Sequence, residues 1–327
     1  MKRFLIAGLF TCAATPAFAQ DLSKPQPVPV TQTIPAPRDV PFPGVVKLEI
    51  DATDTARGIF RVKETITGVG AGRMTLLYPK WLPGAHAPRG EVEKLAGLII
   101  RANGKRLDWT RDQVDVFAFH IDVPAGVRQL DIELQFLSAI KADQGRVVMT
   151  PAMLSLQFNS MSLYPAGYFT RAIPVEARVT YPSGWTAVSG LRAKATGATY
   201  TYDRTTYEVL VDSPAVAGRY YKSWALTPKV DFNIWADSQD EIDAAKPEQI
   251  AAIRRTTEQA IKLFGAEHYD HYEYLHTISA DLGGIGLEHH RSTEIGRTPG
   301  VFKDWDGTPQ GRNVIPHEFV HSWDGKF

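Results

Sequence analysis

Short apolar segments separated by turn residues dominate the chain from residue 45 to about residue 225. The segments are rich in β-branched and aromatic residues, which favour a pleated, half-buried conformation. They cover residues 46–50, 58–67, 74–78, 114–123, 130–137, 175–181 and 207–211. We therefore predict that residues 45–225 form an antiparallel β-sandwich-like domain.

One turn in this region can be assigned a geometry from its sequence. Asn103 and Gly104 lie in the middle of residues 99–109, between two apolar stretches. Both residue types adopt the positive φ angles that a two-residue hairpin turn requires. Residues 99–109 are therefore predicted to form a β-hairpin.

The pattern changes to a helical period in the last third of the chain. It predicts an amphipathic helix over residues 240–264, with Pro247 near its start and Gly265 as its stop signal. The inward-facing stripe consists of Ile250, Ile253, Thr257, Ile261 and Phe264. Beyond this helix we predict a strand over residues 269–278 and a glycine-rich turn over residues 283–286.

The pattern His-Glu-X-X-His spans His317 to His321. Helical residues four apart lie on one face, so the two imidazoles can hold one zinc ion while Glu318 accepts a proton from water. This is the pattern of a zinc peptidase site. Asn313 is expected to cap the start of the helix, and Pro316 is tolerated in a first turn. The competing interpretation is a helix with two ordinary histidines.

A third zinc ligand is missing from the sequence after this pattern. A catalytic zinc site has three protein ligands and one open position, and the sequence ends six residues after His321. We expect an N-terminal portion of a longer enzyme, truncated just after the motif and inactive by itself. In a further hypothesis, Glu288, His289 or His290 completes the metal site from upstream.

The charge of the chain is balanced. Lysine and arginine together number 36, as do aspartate and glutamate, and the sequence has no dense basic run. Nucleic acid and anionic membrane surfaces are therefore not expected as partners.

The N-terminus has the three parts of a secretory signal peptide over residues 1–19. A basic start precedes an apolar run over residues 4–14, and Ala17 and Ala19 form a small-residue cleavage site. We predict cleavage after Ala19 and a periplasmic or secreted protein. The apolar run is too short to span a bilayer, so no integral membrane segment is expected after signal removal.

Cys12 is the only cysteine and lies inside the predicted signal. Lipid attachment to Cys12 is the less favoured alternative, because Thr11 stands where such signals usually carry a smaller residue. The exported chain is therefore expected to be stabilised by its core and not by disulfides.

Residues 20–44 contain seven prolines. Proline-rich segments favour an extended tether over packed structure. The predicted organisation is therefore a signal peptide, this tether, a β-rich domain over residues 45–225 and a second domain over residues 226–327.

Three segments together resemble the glycyl aminopeptidase family of zinc metallopeptidases. They are residues 269–272 (Tyr-Asp-His-Tyr), 286–293 (Gly-Leu-Glu-His-His-Arg-Ser-Thr) and 317–326 (His-Glu-Phe-Val-His-Ser-Trp-Asp-Gly-Lys), with weaker support from residues 79–84 and 212–214. The resemblance implies an α+β chain, in which the β domain precedes the start of a thermolysin-like (gluzincin) mixed α/β catalytic domain. Members of the family often end in a PDZ domain.

The resemblance also implies roles for individual residues. Residues Gly286 to His289 would line the substrate cleft, and Glu288 would bind the free α-amino group of a peptide through a charge-assisted hydrogen bond. The family's third zinc ligand is a Glu on a later helix, and a catalytic Tyr also lies downstream. The family usually has Asn where this chain has Asp324.

We therefore expect a Zn²⁺-dependent aminopeptidase that removes a small N-terminal residue, such as Gly or Ala, from peptides with free N-termini. His268, His271 and His276 are expected to belong to the structural framework. The alternative is a non-catalytic periplasmic binding protein in which the histidine pattern is vestigial. The natural substrate and the oligomeric state do not follow from the sequence.

Overall fold

The structure is a computed structural model that describes residues 31–82, 84–307 and 309–326. The predicted signal peptide, Cys12 and the first part of the predicted tether lie outside the described residues. The chain divides into two units, Met1–Thr33 and Ile34–Phe327, and only the second is described below. All the helices and strands given below lie in the second unit.

The described chain consists mostly of strands in several sheets, with few helices. The strands are β1 Val46–Asp54, β2 Ile59–Thr67, β3 Gly72–Leu77, β4 Leu95–Ala102, β5 Lys105–Leu107, β6 Trp109–Arg111, β7 Ala118–Val123, β8 Gln129–Leu137, β9 Met153–Leu156, β10 Tyr164–Pro165, β11 Pro174–Thr180, β12 Thr186–Ser189, β13 Ala193–Thr196, β14 Thr199–Tyr202, β15 Thr205–Thr206, β16 Ala215–Gly218, β17 Tyr220–Thr227, β18 Val230–Ala236, β19 Tyr272–Ile278, β20 Gly286–Glu288 and β21 Ser292–Arg297. The α-helices are α1 Tyr207–Val211, α2 Gln239–Asp243, α3 Pro247–Phe264 and α4 Pro309–Val320. Short 3₁₀ helices cover Val92–Lys94, Ala142–Gln144, Phe158–Ser160 and Thr170–Ala172.

Three sheets form the β-rich part. The largest has the order β13-β14-β11-β1-β2-β8-β4-β5, with β15 also paired to β11. The other two have the orders β10-β3-β7-β6 and β12-β16-β9. Buried and solvent-facing residues alternate along β1 and β2, as expected of strands that bury one face. Residues of all three sheets, such as Leu48, Leu76 and Leu154, share one hydrophobic core.

The expectation of a purely antiparallel domain is wrong at one pair of strands. β1 pairs with β11 in parallel, with Val46 opposite Val175 and Ile50 opposite Val179. Parallel neighbours require a long crossover connection, and more than 100 residues separate these two strands along the chain. Local patterning carries no information about such a pairing.

Two predicted strands are corrected. Residues 207–211 form the single-turn helix α1, whose first turn is capped because the Thr206 hydroxyl accepts a hydrogen bond from the backbone N–H of Val209 at 3.4 Å. The strand predicted from residue 114 begins at Ala118 instead. The Asp112 carboxylate accepts hydrogen bonds from the backbone N–H of Val114 at 2.8 Å and that of Asp115 at 2.9 Å, and this turn competes with strand pairing.

The hairpin prediction is confirmed. Asn103 has φ 49° and Gly104 has φ 76°, and β4 pairs with β5 on either side of them. The last residues of the predicted tether are packed against the β-rich part, which differs from the expectation of an extended tether. Phe42 is buried in the core of the β-rich part, and its backbone N–H donates to the carbonyl of Ala172 at 2.9 Å.

A five-stranded mixed sheet follows, with the order β17-β18-β19-β21-β20. β18, β19 and β21 run parallel, whereas the edge strands β17 and β20 are antiparallel to their neighbours. The predicted strand over residues 269–278 is confirmed from Tyr272 onward. A second core forms between this sheet and the helices, from residues such as Phe232, Ile253 and Phe319.

The long predicted helix is confirmed in α3, which begins at Pro247, the residue predicted to lie near its start. Residues Gln239–Asp243 form the separate helix α2. Proline fits the first turn of a helix because its missing N–H has no partner there. Gly265 ends α3 in the left-handed conformation, with φ 71°, as its stop signal predicted.

The β-rich part and the mixed sheet are joined by a small third core. It contains Met153 and Val216 of the β-rich part with Trp235 and Leu275 of the mixed sheet. The indole N–H of Trp235 donates to the carbonyl of Thr186 at 3.0 Å. Within the described residues, no helix combines the length and apolar character needed to cross a membrane.

Candidate metal and catalytic site

The helix α4 carries the His-Glu-X-X-His pattern at its C-terminal end. It begins at Pro309, so Asn313 lies inside it and the predicted start is wrong. Pro316 is also internal and lacks the N–H that would bond to the carbonyl of Arg312, four residues earlier. The helix nevertheless continues to Val320, because Ile315 and Phe319 are buried against the mixed sheet.

His317, Glu318 and His321 come together at this end of α4. Their potential ligand atoms all lie within 4.8 Å of one another, and within the described part of the chain no other group of three His, Cys, Asp or Glu residues could hold a metal ion. The imidazole rings of His317 and His321 are perpendicular, with centroids 4.9 Å apart. The arrangement follows directly from the helical spacing of the motif.

The ring of His321 is held by its own chain. Its Nδ1 lies 3.0 Å from the carbonyl oxygen of Asp324. A ring N–H that donates to a backbone carbonyl orients the imidazole and leaves the other nitrogen available as a ligand. Asp324 therefore contributes through its backbone, which Asn at this position would provide equally.

Glu318 is buried beside the two imidazoles. Burial raises the pKa of its carboxyl above the ordinary value, the positive potential of His317 acts against this, and the negative charge of Glu288 adds to the rise. A carboxylate with a raised pKa is a stronger base than one in water.

The strand β20 runs below Glu318 and contributes Gly286 and Glu288. A Cβ atom on Gly286 would lie 2.5 Å from Oε1 of Glu318 and 3.0 Å from Cγ2 of Val314. Only glycine therefore lets the strand and α4 approach so closely. Side chains two residues apart on a strand point to the same face, so Glu288 shares the face of β20 that lies against Glu318.

Glu288 is a buried carboxylate without a cationic partner among the described residues. Its exposed fraction is 8 %, and no described residue forms a hydrogen bond or ion pair with its side chain. A loop of the β-rich part passes over it: a Cβ atom on Gly84 would lie 2.8 Å from Oε1 of Glu288. An unpaired buried carboxylate is costly unless a cationic partner compensates it.

His289 and His290 face a carboxylate of the β-rich part. Asp212 lies 3.3 Å from Nδ1 of His289 and accepts a hydrogen bond from the backbone N–H of His290 at 2.8 Å. His289 is fully buried, and its Nε2 has no hydrogen-bond partner among the described residues. The group formed by His317, Glu318 and His321 includes neither histidine, nor Glu288.

Two largely buried carboxylates with long-range partners were not singled out in the sequence. Glu294 on β21 is buried and paired with Arg146 at 2.6 Å, and Gln157 donates to it at 2.5 Å. Burial acts to raise the pKa of Glu294, but the adjacent Arg146 outweighs it and lowers that pKa. The sequence indicated Asp212 only as part of residues 212–214, which support the family resemblance weakly, and it did not indicate Arg146 at all. Each of these residues contacts a partner that is far away along the chain, so no local pattern reveals the contact.

The other histidines take different positions. His276 is buried between the rings of Phe232 and Phe302, with centroid distances of 5.5 and 6.2 Å. His271 lies beside Asp270, with Nδ1 3.1 Å from Oδ1. His268 contacts the Oγ of Ser322 at 3.1 Å, immediately after the motif.

The donor set fits a zinc ion. Two imidazoles on one helix face are ligands that zinc accepts at a catalytic centre, and Glu318 lies beside them. Three features surround the two imidazoles. The backbone of Asp324 orients the ring of His321, Gly286 lets β20 approach α4 closely, and Glu318 is buried beside the rings. A third protein ligand is not among the residues of this group.

Comparison with solved structures shows which folds the chain resembles. The fold resembles an aminopeptidase N family protein from Idiomarina loihiensis, with a TM-score of 0.69 and 18 % identity over 86 % of this chain and 48 % of that chain. It also resembles yeast LTA4 hydrolase in complex with bestatin, with a TM-score of 0.54 and 14 % identity over 88 % of this chain and 44 % of that chain. For native yeast LTA4 hydrolase the TM-score is 0.52 at 13 % identity.

The family itself is shown by the sequence. Residues 47–219 match the Peptidase M61 N-terminal domain, which is more than half of the chain. The chain therefore belongs to this peptidase family. It spans less than half the length of the solved structures that it resembles. No curated protein matches it significantly.

Proposed function

We propose that the protein is a zinc-dependent aminopeptidase that removes a small residue, such as Gly or Ala, from the N-terminus of peptides. The observation that carries this proposal is the position of Glu288, a buried carboxylate on the strand face against Glu318 that has no hydrogen-bond or ion-pair partner among the described residues. A site that pairs a zinc-binding motif with an unsatisfied anion suits a substrate that brings its own positive charge.

The imidazoles of His317 and His321 would hold the metal, with the third ligand supplied from outside the described residues. A bound zinc ion supplies Lewis acidity, which makes water a stronger acid and polarises a carbonyl group. Two imidazoles alone bind zinc weakly, so tight zinc binding is expected to depend on that third ligand.

Glu318 is the proposed general base. Its carboxylate accepts a proton from the attacking water and passes it to the leaving amine. The burial that raises the pKa of Glu318 increases its basicity in this step. Gly286 keeps the space beside this carboxylate open.

Glu288 is the proposed binding group for the α-ammonium of the substrate. A charge-assisted hydrogen bond in a partly dry cleft fixes the end of the peptide relative to the metal. The loop at Gly84 lies directly against Glu288 and limits the space beyond the amine. This geometry favours release of single N-terminal residues over cleavage inside a peptide chain. His289, which directly follows Glu288, would stabilise the end of β20.

The family resemblance extends the proposal beyond the site. The mixed sheet and helices over residues 226–327 would be the start of a thermolysin-like catalytic domain. The N-terminal signal would direct the protein to the periplasm or outside the cell, where peptides with free N-termini are its partners.

The test uses the protein as its gene encodes it. We expect about one zinc per chain and hydrolysis of a glycyl arylamide, with no hydrolysis of the N-acetylated analogue. Glu318→Gln should keep the zinc and lose at least about 100-fold in kcat, in line with the contribution of a general base. His317→Ala should lose the zinc.

Glu248→Gln on the exposed start of α3 is the matched control and should change neither zinc content nor kcat. A protein that holds no stoichiometric zinc but binds peptides would contradict the proposal. That result would support the alternative of a periplasmic binding protein.

A further inference from the structure

Asp212 connects two parts of the candidate site. It is a residue of the β-rich part, directly after the helix α1. Its Oδ1 accepts a hydrogen bond from Nζ of Lys326 at 2.6 Å and lies 3.3 Å from Nδ1 of His289. Its Oδ2 accepts a hydrogen bond from the backbone N–H of His290 at 2.8 Å. Three groups from the mixed-sheet half therefore converge on one carboxylate.

The ion pair is shielded from water. The exposed fractions of the side chains are 6 % for Lys326 and 16 % for Asp212. Burial acts to raise the pKa of Asp212, but His289 and Lys326 outweigh it and lower that pKa. Removing one partner of a buried pair leaves an uncompensated charge, so the pair holds its geometry firmly.

Lys326 connects Asp212 to the helix α4, which carries the proposed metal ligands. Lys326 ends the segment 322–326 that follows His321, and its backbone N–H donates to the carbonyl of His321 at 3.2 Å. The segment thus folds back on the last turn of α4, where Asp324 also orients the ring of His321. The position of Lys326 therefore bears on the orientation of a proposed metal ligand.

His289 and His290 connect Asp212 to the strand β20, which carries Glu288. His289 and His290 follow Glu288 directly. Nδ1 of His290 also lies 2.9 Å from the carbonyl oxygen of Lys326. Residues 289–290, which follow Glu288, and residues 322–326, which follow His321, therefore contact each other. Both also contact Asp212.

We propose that Asp212 is a positioning residue that couples the β-rich part to the metal site, setting the orientation of His321 through Lys326 and that of Glu288 through His289 and His290. The expected effect on zinc affinity rests on the proposed function, but the contact between Asp212 and Lys326, called the latch below, is a property of the fold. Trp323 anchors the same segment elsewhere, since its indole N–H donates to the carbonyl of Ala266 at 2.7 Å. Loss of the latch should therefore loosen the segment without unfolding the helix.

The experiment compares Asp212→Asn with the wild type in the protein as its gene encodes it. The isosteric change removes the charge and keeps an acceptor oxygen. Zinc affinity, measured by competition with a chelator, should fall about 10-fold or more, as is typical when a supporting partner of a metal ligand is lost. Amide hydrogen exchange over residues 322–326 should accelerate.

The matched control is Arg146→Met, which breaks the other buried ion pair between the two halves, with Glu294. It should lower the free energy of unfolding but leave zinc affinity and the exchange of residues 322–326 unchanged. The double variant Asp212→Asn with Lys326→Met should lose less than the sum of the two single losses, because the two side chains act through each other.

Wild-type zinc affinity together with unchanged exchange in Asp212→Asn would overturn the inference. Additive losses in the double variant would do the same. If the wild-type protein binds no zinc, the proposed function fails, and the exchange of residues 322–326 alone decides whether the latch exists.

Discussion

At the scale of single residues, two glycines leave room for the two carboxylates of the candidate site. Gly286 lies against Glu318, and Gly84 lies against Glu288. In each case the atom that an added Cβ would meet first is a carboxylate oxygen. Substitution at Gly286 should therefore displace the functional group before it disturbs the backbone, whereas substitution at Gly84, with φ +92°, also strains the backbone.

Replacing Gly286 by alanine should move the proposed base. The new Cβ would lie 2.5 Å from Oε1 of Glu318, so the carboxylate must shift. Misplacement of a catalytic group by about 1 Å can cost about 100-fold in rate. We expect a loss of this size in kcat with zinc content unchanged. Gly284→Ala is the control, because its Cβ would meet nothing closer than 3.8 Å; equal losses in both variants would contradict the account.

Replacing Gly84 by alanine should weaken recognition of the N-terminus. The Cβ would lie 2.8 Å from Oε1 of Glu288, in a backbone with φ +92°. We expect a higher KM for glycyl substrates with a smaller change in kcat. Gly97→Ala controls for backbone strain, since its φ is +62° and open space surrounds it. An unchanged KM in Gly84→Ala would show that the loop at Gly84 does not take part in substrate binding, and would contradict the account.

At the scale of elements, the predictions that succeeded depended on residues close together in the sequence. The turn at Asn103 and Gly104, the end of α3 at Gly265 and the face shared by His317 and His321 are all decided within a few residues. Their geometry follows from backbone preferences and helical spacing.

The predictions that failed depended on contacts between distant parts of the chain. The parallel pairing of β1 with β11 has no local cue. Residues 207–211 have strand-like composition, yet they form α1, where Tyr207 and Leu210 are buried. Tertiary packing overrides a weak local preference in such short segments. The ion pair of Asp212 with Lys326 spans 114 residues, which explains why sequence patterns did not assign it.

The end of α3 provides a test of element stability. Gly265 has φ +71°, and a Cβ there would meet nothing within 4 Å. Gly265→Ala should therefore lower the free energy of unfolding by about 1 kcal/mol, from backbone strain alone. Urea denaturation measures this change. Gly70→Ala is the control in equally open space without a positive φ, and it should cost no stability; an equal loss there would refute the assignment.

At the scale of the whole molecule, two halves meet through a small apolar core and a few buried polar contacts. Trp235 packs with Met153 and Val216 in this core, while the ion pairs of Arg146 with Glu294 and of Lys326 with Asp212 flank it. Of these contacts, the pair of Lys326 with Asp212 reaches the candidate site, because the backbone N–H of Lys326 donates to the carbonyl of His321. The geometry of the site therefore depends on the folding of both halves.

The stability of the whole molecule should depend on pH through His276. Its exposed fraction is 1 %, and neither ring nitrogen has a hydrogen-bond partner among the described residues. Burial lowers the pKa of His276 to about 3 from 6.5, and the positive charge of Arg297 adds to this. Between these values the unfolded chain binds a proton that the folded chain does not, so stability is lost as the pH falls below 6.5.

The expected loss from this one group is on the order of 3 kcal/mol at pH 4. His276→Phe should remove that part of the pH dependence, measured by urea denaturation at pH 7 and pH 4. His86→Asn is the control, because His86 is exposed. A pH dependence in His276→Phe as steep as that of the wild type would refute the assignment.

The central claim is that His317 and His321 hold a zinc ion beside Glu318. Anomalous diffraction at the zinc absorption edge, from crystals of the protein grown with zinc, tests it most directly. The account predicts one strong anomalous peak between the two imidazoles. The absence of a peak there, with zinc bound at another place or not at all, would contradict it.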